Sequence, residues 1–289
     1  MSVIICTLNN AKQLDELLFS ISDQNVVPKE IIIVHGENDG QTRSVSDYWG
    51  SRGLNMVYKR AQRSLVIQRN LGIDSSTGDI ICFLDDDVVL ESNFFKSLKE
   101  SYEANDKIGG VQGTITNTMK PSFIKRTYYK IFMLDSIYGY GKLKRSGLPS
   151  FHRPTNHTVE VNVFNGCLMS FRSIVLKKYK FDLFFENNWW GDDFETSYNI
   201  SKEHKLIQIP NARLYHHGNA SYSRSAKVAY MRSKNLKYIR KKHGLCRGFN
   251  KLFCIWSDLG QVALYFILFL RGEGIIYLKN WIDGNSSGD

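Results

Sequence analysis

Proline is rare in this chain, five among 289 residues. With a mixed, aromatic-rich composition, that excludes collagen-like, proline-rich and disordered classes. Cysteine is sparse as well: Cys6, Cys82, Cys167, Cys246 and Cys254 are odd in number and widely spaced. Lacking any CxxC pair, they outline neither a disulfide framework nor a zinc site. Their apolar settings, such as Ile4-Ile5-Cys6-Thr7, predict buried free thiols in a reducing compartment. Long apolar runs are missing too. The longest, Val262 to Leu270, has nine residues, against the roughly 20 that a spanning helix needs. The first residues enter a strand-like run, Ser2 to Thr7, with no basic, cleavable leader. A cytoplasmic protein is expected, at most peripheral at the cytoplasmic face of a membrane.

What is present is ample material for a core, 43% hydrophobic and 13% aromatic residues, and a formal charge of +10. The basicity is segregated. His204 to Ser257 holds 12 Lys or Arg and no acid, and Thr118 to Val159 holds 8 against Asp135 alone, leaving −9 on the remainder. Such segregation favours an anionic partner: a phosphorylated substrate, an anionic membrane surface or a nucleic acid.

The first hundred residues alternate strand and helix signals. Val3–Cys6, Glu30–Val34, Met56–Tyr58 and Asp79–Leu84 read as strands, while Ala11–Ile21 and Leu65–Ser75 carry helical spacing, with Asn10 as N-cap. Strands separated by helices imply a parallel sheet covered on both faces, and ligands of such sheets bind beyond the strands' carboxyl ends. One of those ends is unusual: Ile80-Ile81-Cys82-Phe83-Leu84 runs into Asp85-Asp86-Asp87. Adjacent carboxylates repel and raise one another's pKa unless a cation neutralises them, and a divalent metal shared with a phosphorylated ligand resolves the conflict. Farther along, Thr118 to His157 reads as a long aromatic and basic connection. Val159–Phe164 and Cys167–Phe171 read as a hairpin about Asn165-Gly166. Asn187 to Glu195 opens a helix that runs to about His204.

Together these segments resemble the family-2 inverting nucleotide-sugar glycosyltransferases of GT-A fold, in order across roughly the first 220 residues. The matching stretches are Ser2 to Asn9, Gln68-Arg69-Asn70-Leu71-Gly72, Gly78 to Asp87, Phe164 to Arg172, Trp190-Gly191-Asp192-Asp193 and Pro210 to His217. The resemblance implies an α/β architecture with a mostly parallel, Rossmann-like central sheet flanked by helices; the C-terminal sixty residues fit the family only loosely and read as a helical extension. The resemblance also implies a nucleoside-diphosphate sugar donor, and Mn²⁺ or Mg²⁺ as cofactor. Carried over residue by residue, Thr7, Leu8 and Asn9 lie against the nucleoside, Asp85 and Asp86 hold ribose or sugar, and Asp87 ligates the metal. His216 completes that site, with His217 as the alternative, since neighbours on a strand point to opposite faces. Arg69 reaches the nucleotide or Asp85. Asp193 is the general base, with Asp192 orienting the acceptor or serving as base in a register shifted by one. Trp189 and Trp190 wall the acceptor. The family's usual acidic pair after the second strand is replaced here by His35-Gly36-Glu37-Asn38-Asp39, so uridine is not implied.

The expected division is a catalytic domain over 1–224 and a basic, amphipathic helical extension over 225–289. Within the extension, Ser225–Lys242 and Phe249–Leu270 read as helices that either attach to a membrane surface or pack on the catalytic domain. The expected acceptor is a growing or lipid-linked glycan. A rival class, a non-catalytic nucleic-acid-binding protein using the same basic strip, needs neither the aspartate run nor the Trp-Gly-Asp-Asp segment, so no nucleic-acid partner is expected.

Overall fold

β1 (Ser2–Thr7), β2 (Glu30–His35), β3 (Met56–Arg60) and β4 (Ile80–Asp85) lie in the order β4-β1-β2-β3, all parallel. In this computed structural model the described residues are 1–37, 40–187, 190–218, 226–270, 279 and 282–283. Asp39, Trp189 and the segment 284–289 lie outside them. The central strands are apolar almost throughout because both faces are covered: Val3, Ile4, Ile5, Ile32, Ile33 and Val34 are fully buried. Each such side chain contributes about 1.5 to 3 kcal/mol relative to exposure. The intervening helices are α1 (Ala11–Ser22), α2 (Gly40–Ser51) and α3 (Leu65–Ser75). Of these α2 was not anticipated, because its sequence buries only Thr42, Ser46 and Trp49 and carries little apolar periodicity.

The rest of the sheet departs from simple alternation. After β5 (Val88–Leu90) and α4 (Phe94–Ala104) come β6 (Ile108–Ile115), then, past residue 152, β10 (Val159–Val161), β11 (Leu168–Arg172) and β12 (Lys205–His216). The full order is β10-β12-β6-β11-β4-β1-β2-β3, with β5 on β12. The hairpin expected about Asn165-Gly166 does not form: β10 pairs antiparallel with β12, while β11 inserts antiparallel between β4 and β6. The two short strands each gain more by completing the buried sheet than by pairing with each other.

Two antiparallel pairings position the site. Leu168 stands opposite Leu84, so the residues just before β11 arrive where β4 ends. His216 stands opposite Val88, so the end of β12 reaches the residue following the aspartate run.

The chain forms two compact units, Met1–Thr118 with Arg153–Gly218, and Met119–His152 with Asn219–Asp289. The segment 119–152, read from sequence as a connection within the first domain, thus groups with the C-terminal helices. It is also not an unstructured connection: it holds α5 (Phe123–Ile131) and a small sheet of β7 (Ser136–Gly139), β8 (Lys142–Leu143) and β9 (Pro149–His152) in the order β7-β9-β8. After α6 (Ser173–Tyr179) and α7 (Asp192–Ile200) of the first unit, α8 (Ala226–Lys242) and α9 (Asn250–Leu270) complete the second. There, Tyr128 donates to the Gly260 carbonyl (2.6 Å), Trp256 Nε1 donates to the Ile131 carbonyl (2.8 Å), and the Phe132 and Trp256 rings stack. The apolar stripe of α9 is therefore partly spent on α5. Among the described residues no helix is long and apolar enough to cross a membrane.

The expectation of five free thiols is corrected. Cys246 and Cys254 form a disulfide across the α8–α9 turn, leaving Cys6, Cys82 and Cys167 free. The two half-cystines lie eight residues apart, on a turn that doubles back, a proximity that spacing alone does not reveal.

Candidate active site at the carboxyl ends of the parallel strands

The aspartate run divides its labour. Asp86 accepts from Thr7 Oγ1 (2.5 Å) and Asn10 Nδ2 (2.8 Å), tying the end of β1 and the start of α1 to the turn after β4. Asn10 thus spends its side chain on Asp86 rather than capping α1. Burial pushes the Asp86 carboxyl up to about 6 despite those two hydrogen bonds. Burial also raises Asp85, against the nearby Arg69 charge. For Asp87 burial acts upward too, but the hydrogen bond and charge of His216, with backbone hydrogen bonds, outweigh it and hold this carboxyl below its ordinary value. His216 Nε2 lies 3.1 Å from Asp87 Oδ1, and that hydrogen bond raises the imidazole pKa. His217 turns the other way, its Nε2 3.3 Å from Glu16.

Asp85, Cys167 and His216 each bring one ligand atom to within 4.8 Å of the others. Cys167 was not anticipated as part of this cluster, because its nearness to Asp85 follows from the insertion of β11. Burial pushes its thiol well above the usual value, with the Asp85 and Asp87 charges adding to the effect. Beside that sulfur the cluster offers carboxylate and imidazole donors. Such a donor set suits a hard or borderline divalent cation.

The second cluster is built on α3 and α7. Gly191 caps α7 at φ 101°, a left-handed conformation that favours glycine, and the next two residues are Asp192 and Asp193, placed where the helix dipole favours anions. Arg69, only 4% exposed, makes a buried ion pair with Asp192 and also donates to the Gly166 carbonyl (3.3 Å). It is therefore neither a surface arginine nor directed at solvent, and its guanidinium packs over the Phe181 ring. Asp192 is consumed by that pair. Asp193 is half-buried and accepts the Gly166 N–H (2.8 Å). Burial, and then the adjacent Asp192 charge, push its carboxyl up to about 7 against the pull of Arg69.

Gly166-Cys167 joins the clusters. Gly166 holds Asp193, Cys167 stands with Asp85 and His216, and the Cys167 carbonyl accepts from the Asp85 N–H (3.4 Å). A larger residue at the first position would crowd both partners: a Cβ on Gly166 would lie 3.0 Å from Arg69 Nη2 and 3.1 Å from Asp193 Oδ2. Gln68 was also missed from sequence. Its Nε2 donates to the carbonyls of Thr7 and Val34, pinning the ends of β1 and β2. Beyond them Asn9, at φ 53°, donates to Glu37, which also pairs with Arg63, while Leu8 is partly exposed. Trp190 packs edge-on against Phe194.

The family described as Glycosyl transferase family 2 matches residues 2–180. Among curated proteins, a glucosyl-dolichyl phosphate glucuronosyltransferase of Haloferax volcanii is 26% identical over 148 residues. That match covers 49% of this chain and 47% of the relative, so the chain spans about half of that relative's length. Among solved structures, S. aureus TarS 1-349 in complex with UDP-GlcNAc has a TM-score of 0.63 at 14% identity, covering 98% of this chain and 78% of that one. The mannosyltransferase PcManGT from Pyrobaculum calidifontis, in complex with GDP-Man and Mn²⁺, has a TM-score of 0.58 at 16% identity, covering 98% and 86%. At these identities the likeness concerns the fold.

Proposed function

This chain belongs to glycosyl transferase family 2 and has the GT-A fold, and on that premise we propose that it transfers one sugar, with inversion, from a nucleoside-diphosphate sugar to a hydroxyl of a lipid-linked or growing glycan. The observation that carries the reading is the Gly166-Cys167 junction, which sets a raised-pKa carboxylate beside a carboxylate–imidazole cluster at one sheet edge.

In this reading Asp193 takes the proton of the acceptor hydroxyl as that oxygen attacks the anomeric carbon. The bond from that carbon to the donor's phosphate oxygen breaks on the opposite face, and the electron pair leaves with the nucleoside diphosphate. Arg69 and Asp192 keep the α7 N-terminus in place, so Asp193 meets the hydroxyl from a fixed direction. Asp86 holds Thr7 and Asn10, and through them the loop that receives the nucleoside. Asp87 and His216, with Asp85 alongside, would hold Mn²⁺ or Mg²⁺, which when bound would supply positive charge against the diphosphate. The imidazole in the set favours Mn²⁺ of the two. Trp190 receives the acceptor, for which the dolichyl-phosphate sugar named for the Haloferax relative is a chemical precedent.

The test is donor binding by calorimetry with UDP-, GDP- and dTDP-sugars, with and without Mn²⁺. Asp87→Asn should abolish the metal-dependent part of binding, while Asp193→Asn should leave binding intact and lower transfer about 10² to 10⁴-fold. Near-normal turnover by the Asp193 variant would remove it as the base. Metal-independent donor binding by the wild-type chain would remove the cation from the reading.

A further inference from the structure

The second unit presents apolar side chains to solvent beside a cationic cavity. On α9, Leu252, Ile255, Leu259 and Phe266 are all exposed, and their spacing puts them along one side of the helix. Ile131 meets Trp256 and Tyr128 meets Gly260, so α5 runs antiparallel to α9. The first turn of α5 therefore lies beside the later turns of α9. That turn carries Phe123 and Ile124, 80% and 82% exposed. Contiguous apolar surface of this kind marks an interaction site on a soluble protein.

Between α8 and α9 lies a cavity of about 340 Å³ whose wall includes Lys237, Lys241, Arg247 and Lys251. Among the described residues its acidic wall residue is Asp258, bound by Arg240 (2.8 Å), which also donates to the Ser146 carbonyl and Ser257. The disulfide lines the same cavity and anchors the turn that carries Arg247. Ile255 belongs both to this wall and to the exposed stripe, so cations and apolar side chains adjoin.

We propose that this face docks on an anionic phospholipid surface, with a lipid headgroup phosphate in the α8–α9 cavity and the exposed side chains of α9 and α5 in the acyl boundary. An interfacial element combines these two features, apolar area for the boundary and cations for the headgroups. A second copy of this chain fits poorly, because a self-complementary contact places the same patch on itself. Such a contact would set Lys237, Lys241, Arg247 and Lys251 against their own copies, while Asp258 is already held by Arg240. A nucleic acid would use the cations and leave the apolar stripe uncovered. The inference deepens the reading of a lipid-linked acceptor but rests on the second unit alone, and its test contains neither donor nor acceptor, so the two readings fail separately.

The experiment is flotation of the full chain with vesicles of phosphatidylcholine, alone or mixed with phosphatidylglycerol. The chain should float with the anionic vesicles and be released by salt. The double variant Arg247→Glu/Lys251→Glu should weaken that binding at least about tenfold. Leu252→Ser/Leu259→Ser should weaken it comparably, with an unchanged melting temperature because both side chains face solvent. Four results overturn the proposal: no flotation with either vesicle, equal flotation with both, an apolar double variant that binds as well as wild type, or a doubled mass in sedimentation that the apolar double variant abolishes. The third would leave a purely electrostatic surface, and the fourth would make a second copy the occupant.

Discussion

Asp193 illustrates how a residue's identity and its neighbours share a task. A carboxylate in water is too weak a base to serve well at neutral pH, and burial followed by the Asp192 charge lifts this one to about 7. With Asp193 as the proposed base, transfer should rise with pH and level off above about 7, as read in a pH–rate profile. The same shift has a cost in stability. A carboxyl whose folded pKa is raised favours the folded state at low pH and loses that contribution as pH climbs through about 7. Asp193→Asn should accordingly flatten the decline in stability across that range while removing transfer, measured by urea unfolding at several pH values.

Arg69 tests the buried pair. Arg69→Met leaves Asp192 buried and unpaired, a loss of about 3 to 5 kcal/mol on general grounds, read as a drop in the urea midpoint. It also removes the positive charge that holds Asp193 down. In a variant that still folds, the pH–rate profile should move to higher pH, which loss of packing alone would not produce. From the sequence Arg69 was a candidate for the nucleotide or for Asp85. Its partner Asp192 lies 123 residues away, and no local pattern links the two.

At the scale of elements, α3 is placed by close contact with β1. A Cβ on Gly72 would fall 2.5 Å from the Ile4 side chain, so Gly72→Ala must push α3 off the sheet or displace Ile4. Overpacking of this kind costs about 1 to 3 kcal/mol, and because α3 also carries Gln68 and Arg69, donor affinity should fall with it in calorimetry. Apart from α2 and β5, the strands and helices of the first hundred residues were legible because apolar runs and helical spacing record which face each element buries. Those bounds agree closely over Leu65–Ser75, Ala11–Ser22 and Ile80–Asp85. β6 was missed, since its Gly109, Gly110 and Gly113 dilute the strand signal. Those glycines are there because His204, Leu206 and the Ala212 carbonyl press against the strand. The expected hairpin failed for a related reason: Asn165-Gly166 has the composition of a tight turn, but its conformation is set by Asp193 and by the strands on either side of β11.

Across the whole molecule, the two units draw on distant parts of the chain, and the disulfide belongs to the second. Reducing it should cost roughly 2 to 3 kcal/mol, the range for a short closed loop. Hydrogen exchange should accelerate over Arg240–Asp258, while protection of β1, β2 and β4 stays unchanged. The parallel α/β half, the acid run at the end of a buried strand and the order of the motifs are legible in the chain alone, because each is written in residues close together along it. That Arg69 locks Asp192, that His216 rather than His217 faces Asp87, that Cys167 joins the cluster, and that residues 119–152 fold with the C-terminal helices emerges from the folded protein. Those outcomes depend on which distant surfaces are buried against each other, and a one-dimensional pattern records that a face is apolar or charged without recording what it meets.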